Sequence, residues 1–288
     1  MRPGLPHHSV IYFRRLIMSN IFWSFRRPLL AYSFLIITLL IGACSGASNA
    51  PIFDSYTRQQ LQNTLLTSAV LHNWTPSDLL AIGNAQPVYF APGKGWYYSN
   101  TNYILLGLII EKVTESTFTK EVTSRIINHL GLNNTSIPTT IDMPPGSTQG
   151  YLWYAGIRYN STKADPSFAW SAGNAISNND DLAVFLTAVI NGTLLNQQRK
   201  TDMFTFVNDH GVVTQGDDAK YGLGLYYFSP GWIGHSGDFI FGGQASLYWY
   251  NGWMFIVQTN ASPPIEGFEN GADYIWSTLV KALGLPLS

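Results

Sequence analysis

An α+β domain is what the order of patterns along this chain predicts. Helical periodicity dominates up to Asn191, β-rich segments separated by Gly, Pro and Asn follow from Tyr221, and a last helical pattern runs from Ala272 to Leu283. A run of helices followed by a run of strands, without alternating βαβ units, indicates a helical region beside an antiparallel sheet. The 288 residues are 46% hydrophobic, 14% aromatic and only 11% charged, which supplies the core of one large domain or two small ones.

The same composition excludes a disordered chain. Net charge is −1, and Lys and Arg cluster only near the N terminus, so no nucleic-acid partner is expected. With one cysteine, Cys44, an intrachain disulfide is impossible and a cysteine-rich metal site is excluded. No pair among His72, His129 and His210 has metal-ligand spacing, and no cofactor or metal is expected.

The first segment reads as an export leader, residues 1–44. It holds Arg14-Arg15 and Arg26-Arg27 without an acidic residue, then the apolar run Leu29 to Ile41, then Gly42-Ala43-Cys44. A basic region, a short apolar run and a small-residue site form the layout of a secretory signal. The run is shorter than the ~20 residues that span a bilayer. Ile41-Gly42-Ala43-Cys44 resembles the lipobox of bacterial lipoproteins, which makes Cys44 a lipidation candidate; cleavage beyond Ala50 and an uncleaved anchor are the alternatives. The expected location is exported, periplasmic or membrane-anchored, with membrane contact through leader or lipid.

Residues 45–288 form the second unit. Leu61, Leu65, Leu66 and Val70 fall at helical intervals over Thr57 to Leu71. Thr75-Pro76 starts a helix, with Thr75 as N-cap and Pro76 at the first helical position. A further helix is expected over Phe118 to Leu130. Asn133 to Asp165 is loop-rich, with Tyr151, Trp153 and Tyr154 either lining a cleft or packing the loop down. Asp180-Asp181 starts a helix that runs to Asn191. Strands are expected at Tyr221–Phe228, Trp232–His235, Gln244–Tyr250 and Trp253–Thr259. The unbroken apolar run Trp253 to Val257 indicates a strand covered on both faces.

The chain is organised around Trp96 to Thr114. Tyr98-Ser99-Asn100 is a polar knot in which either Ser99 or Asn100 can cap the helix that follows, and that helix is apolar on nearly every side, the pattern of a buried one. A capped core helix explains this as well as a site does.

Several segments together resemble the penicillin-recognising serine hydrolases, in the branch of class C β-lactamases, D-alanyl-D-alanine carboxypeptidases and related esterases. They are Phe90-Ala91-Pro92-Gly93, Tyr98-Ser99-Asn100-Thr101-Asn102-Tyr103, Leu106-Gly107, Ser171-Ala172-Gly173, Tyr221-Gly222-Leu223-Gly224-Leu225 and Gly234-His235-Ser236-Gly237, in the family's order. The resemblance implies a β-lactamase/transpeptidase-like fold and acyl transfer on cell-wall peptides, β-lactams or small esters. It implies that the Tyr98 phenol moves the proton of a nucleophile, which at pKa ~10 requires a nearby cation. Asn100 would bond a substrate amide. His235, with Ser236, would hold a substrate carboxylate. The N–H after Gly237, on Asp238, would donate to an oxyanion.

One part of the pattern is missing. The family's nucleophile lies in a Ser-x-x-Lys motif upstream of Tyr-x-Asn, and this sequence has no lysine before Lys94. Thr117-Phe118-Thr119-Lys120 has the spacing but begins with Thr and lies downstream. The implied fold is therefore incomplete at its N-terminal end, and covalent turnover by this chain is not expected. A non-catalytic exported binding protein or a truncated remnant is the alternative. Without N-terminal strands, Trp253 to Val257 would leave an open sheet edge, a route to self-association.

Overall fold

The computed structural model describes residues 10–15, 33–35, 72–154, 157–208, 220–239, 241–262 and 270–287. Cys44 and the helix expected over Thr57 to Leu71 lie outside the described residues, as does the apolar run Leu29 to Ile41 apart from Ser33–Leu35.

In chain order the elements are β1 (Val10–Arg15), β2 (Ser33–Leu35), α1 (Pro76–Asn84), α2 (Asn100–Thr114) and α3 (Phe118–Val122). The last runs on through a π-helical turn, Thr123–Ile127, into Asn128–Leu130. Next come β3 (Tyr151–Tyr154), β4 (Ile157–Asn160), β5 (Ala175–Ser177), α4 (Asn179–Asn191) and α5 (Gln197–Met203). The chain closes with β6 (Val207–Asn208), β7 (Lys220–Tyr221), β8 (Tyr226–Phe228), β9 (Trp232–Phe239), β10 (Gly243–Tyr250), β11 (Trp253–Thr259), β12 (Ala261–Ser262) and α6 (Gly271–Ala282). This is the expected α+β arrangement.

Among the described residues the main sheet has seven strands in the order β1-β11-β10-β9-β8-β7-β6, with every neighbouring pair antiparallel. Its hairpin β10–β11 turns on Asn251 and Gly252, with φ of 43° and 80°. Positive φ at both central residues is what a two-residue hairpin with the right twist requires, and Asn-Gly meets it at least cost.

Both faces of β11 are covered, as its unbroken apolar run predicts. On one face Phe255 and Val257 join Trp232, Tyr248, Trp276 and Val280 under α6. On the other, Met254 and Ile256 join Ala245, Leu247, Leu182 and Leu186 under α4. Each large side chain fully buried in these layers contributes roughly 1.5–3 kcal/mol. The sheet thereby becomes a rigid wall beside the helical region.

The structure corrects several expectations. The edge of β11 is not open: β1, from inside the segment read as leader, pairs with it from Val10 opposite Gln258 to Arg15 opposite Trp253. Helix α2 is buried on one side only, at Asn100, Ile104 and Gly107, while Leu105, Leu106, Ile109 and Val113 are exposed. Helix α4 is capped by Asn178, whose side chain accepts from Asp181 N–H, and not by Asp180-Asp181. The Asp181 carboxylate instead accepts from Asn134 N–H and the Thr135 hydroxyl, both at 2.8 Å. The stretch Asn133 to Asp165 contains the hairpin β3–β4, joined in parallel by β12. Strand Tyr221–Phe228 is broken at Gly222–Leu225 into β7 and β8. Helix α5 was not legible because its exposed, polar residues carry no apolar stripe. The capping box at Thr75 and Asp78, with Pro76 at the helix start, is as expected. Among the described residues no helix is long and apolar enough to cross a membrane.

Candidate functional site

Tyr98 lies on extended chain just ahead of α2, and Asn100 is the first residue of that helix. Ser99 takes the N-cap position with φ −150° and ψ 123°, but its side chain makes no capping bond. An extended Ser99 sends the flanking side chains to one side. The Tyr98 phenol accordingly lies 3.5 Å from Asn100 Oδ1, a long contact, and Asn100 is only 4% exposed. Gly107, one helical stretch further on, lets α2 approach the turn that follows β4: a Cβ there would run into Ser171 and Trp170. Ser171 in turn donates to the Tyr103 carbonyl at 2.9 Å. The Tyr98-Asn100 mouth is thus held by the helix behind it.

Facing Tyr98 stands β9, which carries His235. Its ring centroid is 6.1 Å from that of Tyr98, 5.8 Å from Tyr221 and 4.7 Å from Tyr226. Residues 98 and 235 are therefore brought together. His235 Nδ1 lies 2.5 Å from the Ser236 carbonyl and Nε2 lies 3.1 Å from the Tyr221 hydroxyl. Burial lowers its pKa to about 4, outweighing the Ser236 carbonyl, which acts to raise it. A neutral ring with both nitrogens engaged is not the cation a substrate carboxylate would need.

The Tyr98 phenol is pushed well above its ordinary range, first by burial and then by Tyr226 and Tyr103, and no cation of the described residues offsets them. At neutral pH it is a protonated phenol, a hydrogen-bond donor and not a base.

Alternation along β9 separates the rest of the His-Ser-Gly motif. Ser236 pairs with Ser246, whose hydroxyl donates to Asp273 Oδ1 at 2.6 Å on the α6 side. His235 pairs with Leu247, which packs on the α4 side. Opposite Ser236 the Ser246 hydroxyl is thus engaged with α6, while the His235 ring lies against Tyr98, Tyr221 and Tyr226. The Asp238 carboxylate is likewise occupied, accepting from Gln244 Nε2 at 3.1 Å.

Strand β8 pairs with β9 only from Trp232 to Gly234, so His235 to Phe239 continue past the end of that partner. Asn270, the N-cap of α6, donates from Nδ2 to the Gly237 carbonyl at 2.8 Å. In a planar trans peptide the carbonyl and the following N–H point in opposite directions, so this bond turns the Asp238 N–H away from Asn270. Gln244 supports the same corner, accepting from Gly271 N–H at 2.8 Å.

Tyr103, Tyr221, Tyr226, Gln244 and Asn270 were not singled out from sequence. Tyr103 and Tyr221 end and begin two of the family-like segments, which is the signal that marks them. Asn270 could have been found as Asn ahead of the small residues that open the last helix. Tyr151 and Trp153 lie on β3, outside the cluster: the Tyr151 hydroxyl donates to Gln149 Oε1 and Trp153 is exposed. Among the described residues no group of His, Cys, Asp and Glu could hold a metal ion.

An antiparallel sheet under helices, with a Tyr-x-Asn pair facing a His-Ser-Gly strand, defines the class as the β-lactamase and transpeptidase folds. The family model described as Beta-lactamase matches residues 53–280, and the chain belongs to that family. It is similar to a Bacillus subtilis protein named as penicillin-binding, PbpX, at 27% identity over 157 residues, which are 54% of this chain and 37% of that protein. Among solved structures it resembles a D-stereospecific amidohydrolase from Streptomyces sp., with 31% identity and a TM-score of 0.63 over 73% of this chain and 63% of the other. It also resembles the D-amino acid amidase of Ochrobactrum anthropi SV3 in complex with D-phenylalanine, with 25% identity and a TM-score of 0.64 over 74% and 65%. The chain thus spans well under half of PbpX and somewhat under two thirds of both enzymes.

Proposed function

We propose that this chain is a β-lactamase-family domain that recognises a small D-amino-acid amide or peptidoglycan-type ligand but does not turn it over alone. In this reading Tyr98 and Asn100 donate to the ligand's polar groups, the backbone of β9 from His235 to Gly237 aligns it, and the Asp238 N–H faces its reacting carbonyl. The names of the structural relatives, an amidohydrolase and an amidase of D-compounds, support the ligand class.

The observation that carries the absence of turnover is the state of Tyr98. Its phenol is buried and protonated with no offsetting cation of the described residues, in a sequence with no lysine, and so no Ser-x-x-Lys, ahead of it. Acyl transfer needs a nucleophile and a base to take its proton, and the described cleft presents neither. Calorimetric titration with D-phenylalanine amide, run beside a nitrocefin turnover assay, tests this. Binding without turnover is expected. Turnover that Tyr98→Phe abolishes would overturn it, and turnover gained on adding a second chain bearing Ser-x-x-Lys would favour a hydrolase completed in trans.

Export and lipidation at Cys44 belong to the same proposal, supported by the arginine pairs, the apolar run and Ile41-Gly42-Ala43-Cys44. Strand β1 lies inside that leader, so processing at Cys44 would uncover the β11 edge and open the route to self-association.

A further inference from the structure

The cleft contains a chain of hydrogen bonds whose direction can be worked out. The Ser236 carbonyl can only accept, so the proton of the His235 ring sits on Nδ1. In the neutral ring Nε2 is then an acceptor, and the Tyr221 hydroxyl 3.1 Å away donates to it. Tyr221 has a single proton to give. The 2.8 Å bond between the Tyr221 and Tyr103 hydroxyls must therefore run from Tyr103 to Tyr221. Tyr221 is 4% exposed, so this bond cannot be readily replaced by water.

The groups that face the imidazole are phenols: Tyr98 ahead of α2, Tyr221 on β7 and Tyr226 on β8, with Tyr103 on α2 behind Tyr221. No carboxylate of the described residues is among the groups that stabilise a protonated ring, and burial works against one. A protonated ring would have to donate from Nε2, so the Tyr221 hydroxyl would have to turn its own proton away from the ring.

We propose that Tyr221, backed by Tyr103, is a positioning residue that holds His235 as the neutral Nδ1–H tautomer, so that the cleft selects ligands ending in an uncharged amide over those ending in a carboxylate. The selectivity rests on the ligand-binding function proposed above; the tautomer does not. A carboxylate placed against this ring would lose water without gaining a cation. Leaving a charge unpaired in a half-buried site costs enough for roughly a tenfold or larger difference in affinity.

Two measurements separate the parts. Nitrogen-15 NMR of the full chain reads the ring directly at pH 7. An Nδ1–H ring with acceptor-type Nε2 is expected in the wild type, mixed tautomers in Tyr221→Phe, and a smaller shift of Nε2 in Tyr103→Phe. The second variant keeps Tyr221 in place should the first fail to fold. An Nε2–H tautomer, an imidazolium at pH 7, or variants whose His235 signals match the wild type would overturn the positioning role. Titration with D-phenylalanine amide and D-phenylalanine then reads selectivity, with the amide expected to bind at least tenfold more tightly and His235→Lys to narrow the gap. Equal affinities, or tighter binding of the acid, would overturn the selectivity. If neither compound binds while the NMR result holds, the proposed ligand class fails, the selectivity falls with it, and the positioning role stands.

Discussion

Replacing Asn270 by Ala probes the corner on which the Asp238 N–H depends. The side chain does two jobs from a position only 7% exposed. Its Oδ1 accepts from Ala272 N–H at 2.8 Å and Asp273 N–H at 3.2 Å, and its Nδ2 donates to the Gly237 carbonyl at 2.8 Å. Loss of an N-cap costs about 1 kcal/mol. Loss of the second bond, which leaves a buried carbonyl without this donor, costs roughly 1–2 kcal/mol more. The expected total is about 2–3 kcal/mol, or roughly 4–10 °C in melting temperature for a domain of this size. Asn270→Asp separates the two jobs: it keeps the capping oxygen, adds charge where a helix N-terminus favours it, and loses the donor. Urea denaturation of the three proteins, followed by tryptophan fluorescence, supplies the numbers. If Asn270→Ala changes stability by less than about 0.5 kcal/mol the cap argument fails. If Asn270→Asp exceeds the wild type by the full gain that a charge at a helix N-terminus brings, the bond to Gly237 contributes nothing.

Three further outcomes follow from the packing and the site. The pKa of His235 falls from the ordinary 6.5 to about 4 on folding, so the folded state binds fewer protons and this contribution is full above pH 6.5 and lost as pH falls towards 4; it amounts to about 3 kcal/mol at most, and less with solvent screening. Urea midpoints at pH 7 and pH 4.5 should therefore fall further for the wild type than for His235→Gln, and parallel curves would contradict the burial of a neutral ring. Trp232 is fully buried, stacks on Tyr250 at 4.8 Å and donates to the Pro286 carbonyl at 2.8 Å, so Trp232→Ala should lose about 3–5 kcal/mol in a thermal melt. Removing residues 1–44 takes away β1 and its six-residue ladder on β11, so sedimentation should show concentration-dependent association that the full chain lacks; identical monomers would mean that the β11 edge is protected in another way.

The sheet was legible because its physics is local. Trp253 to Val257 carries no polar residue, and a strand covered by α6 and α4 leaves no room for one. Thr75-Pro76 and Asp78 likewise announce a helix start by their own chemistry. Less of α2 could be read: its apolar residues predict burial all round, yet Leu105, Leu106, Ile109 and Val113 are exposed, because periodicity reports apolarity and not what covers it. Strand β1 was hidden in a basic and apolar segment that fits an export leader equally well. At the site, order and spacing placed Tyr98, Asn100 and His235 in one cleft. They could not show that His235 is neutral. That depends on the Tyr103 and Tyr221 hydroxyls, 118 residues apart in sequence.

The claim that this cleft binds without acylation is tested most directly by intact-protein mass spectrometry of the full chain after incubation with excess benzylpenicillin. An unchanged mass is expected, in a sample that still binds D-phenylalanine amide by calorimetry. A stoichiometric mass increase equal to one penicilloyl group, lost on mapping to a single serine or threonine replaced by alanine, would show a nucleophile and contradict the account.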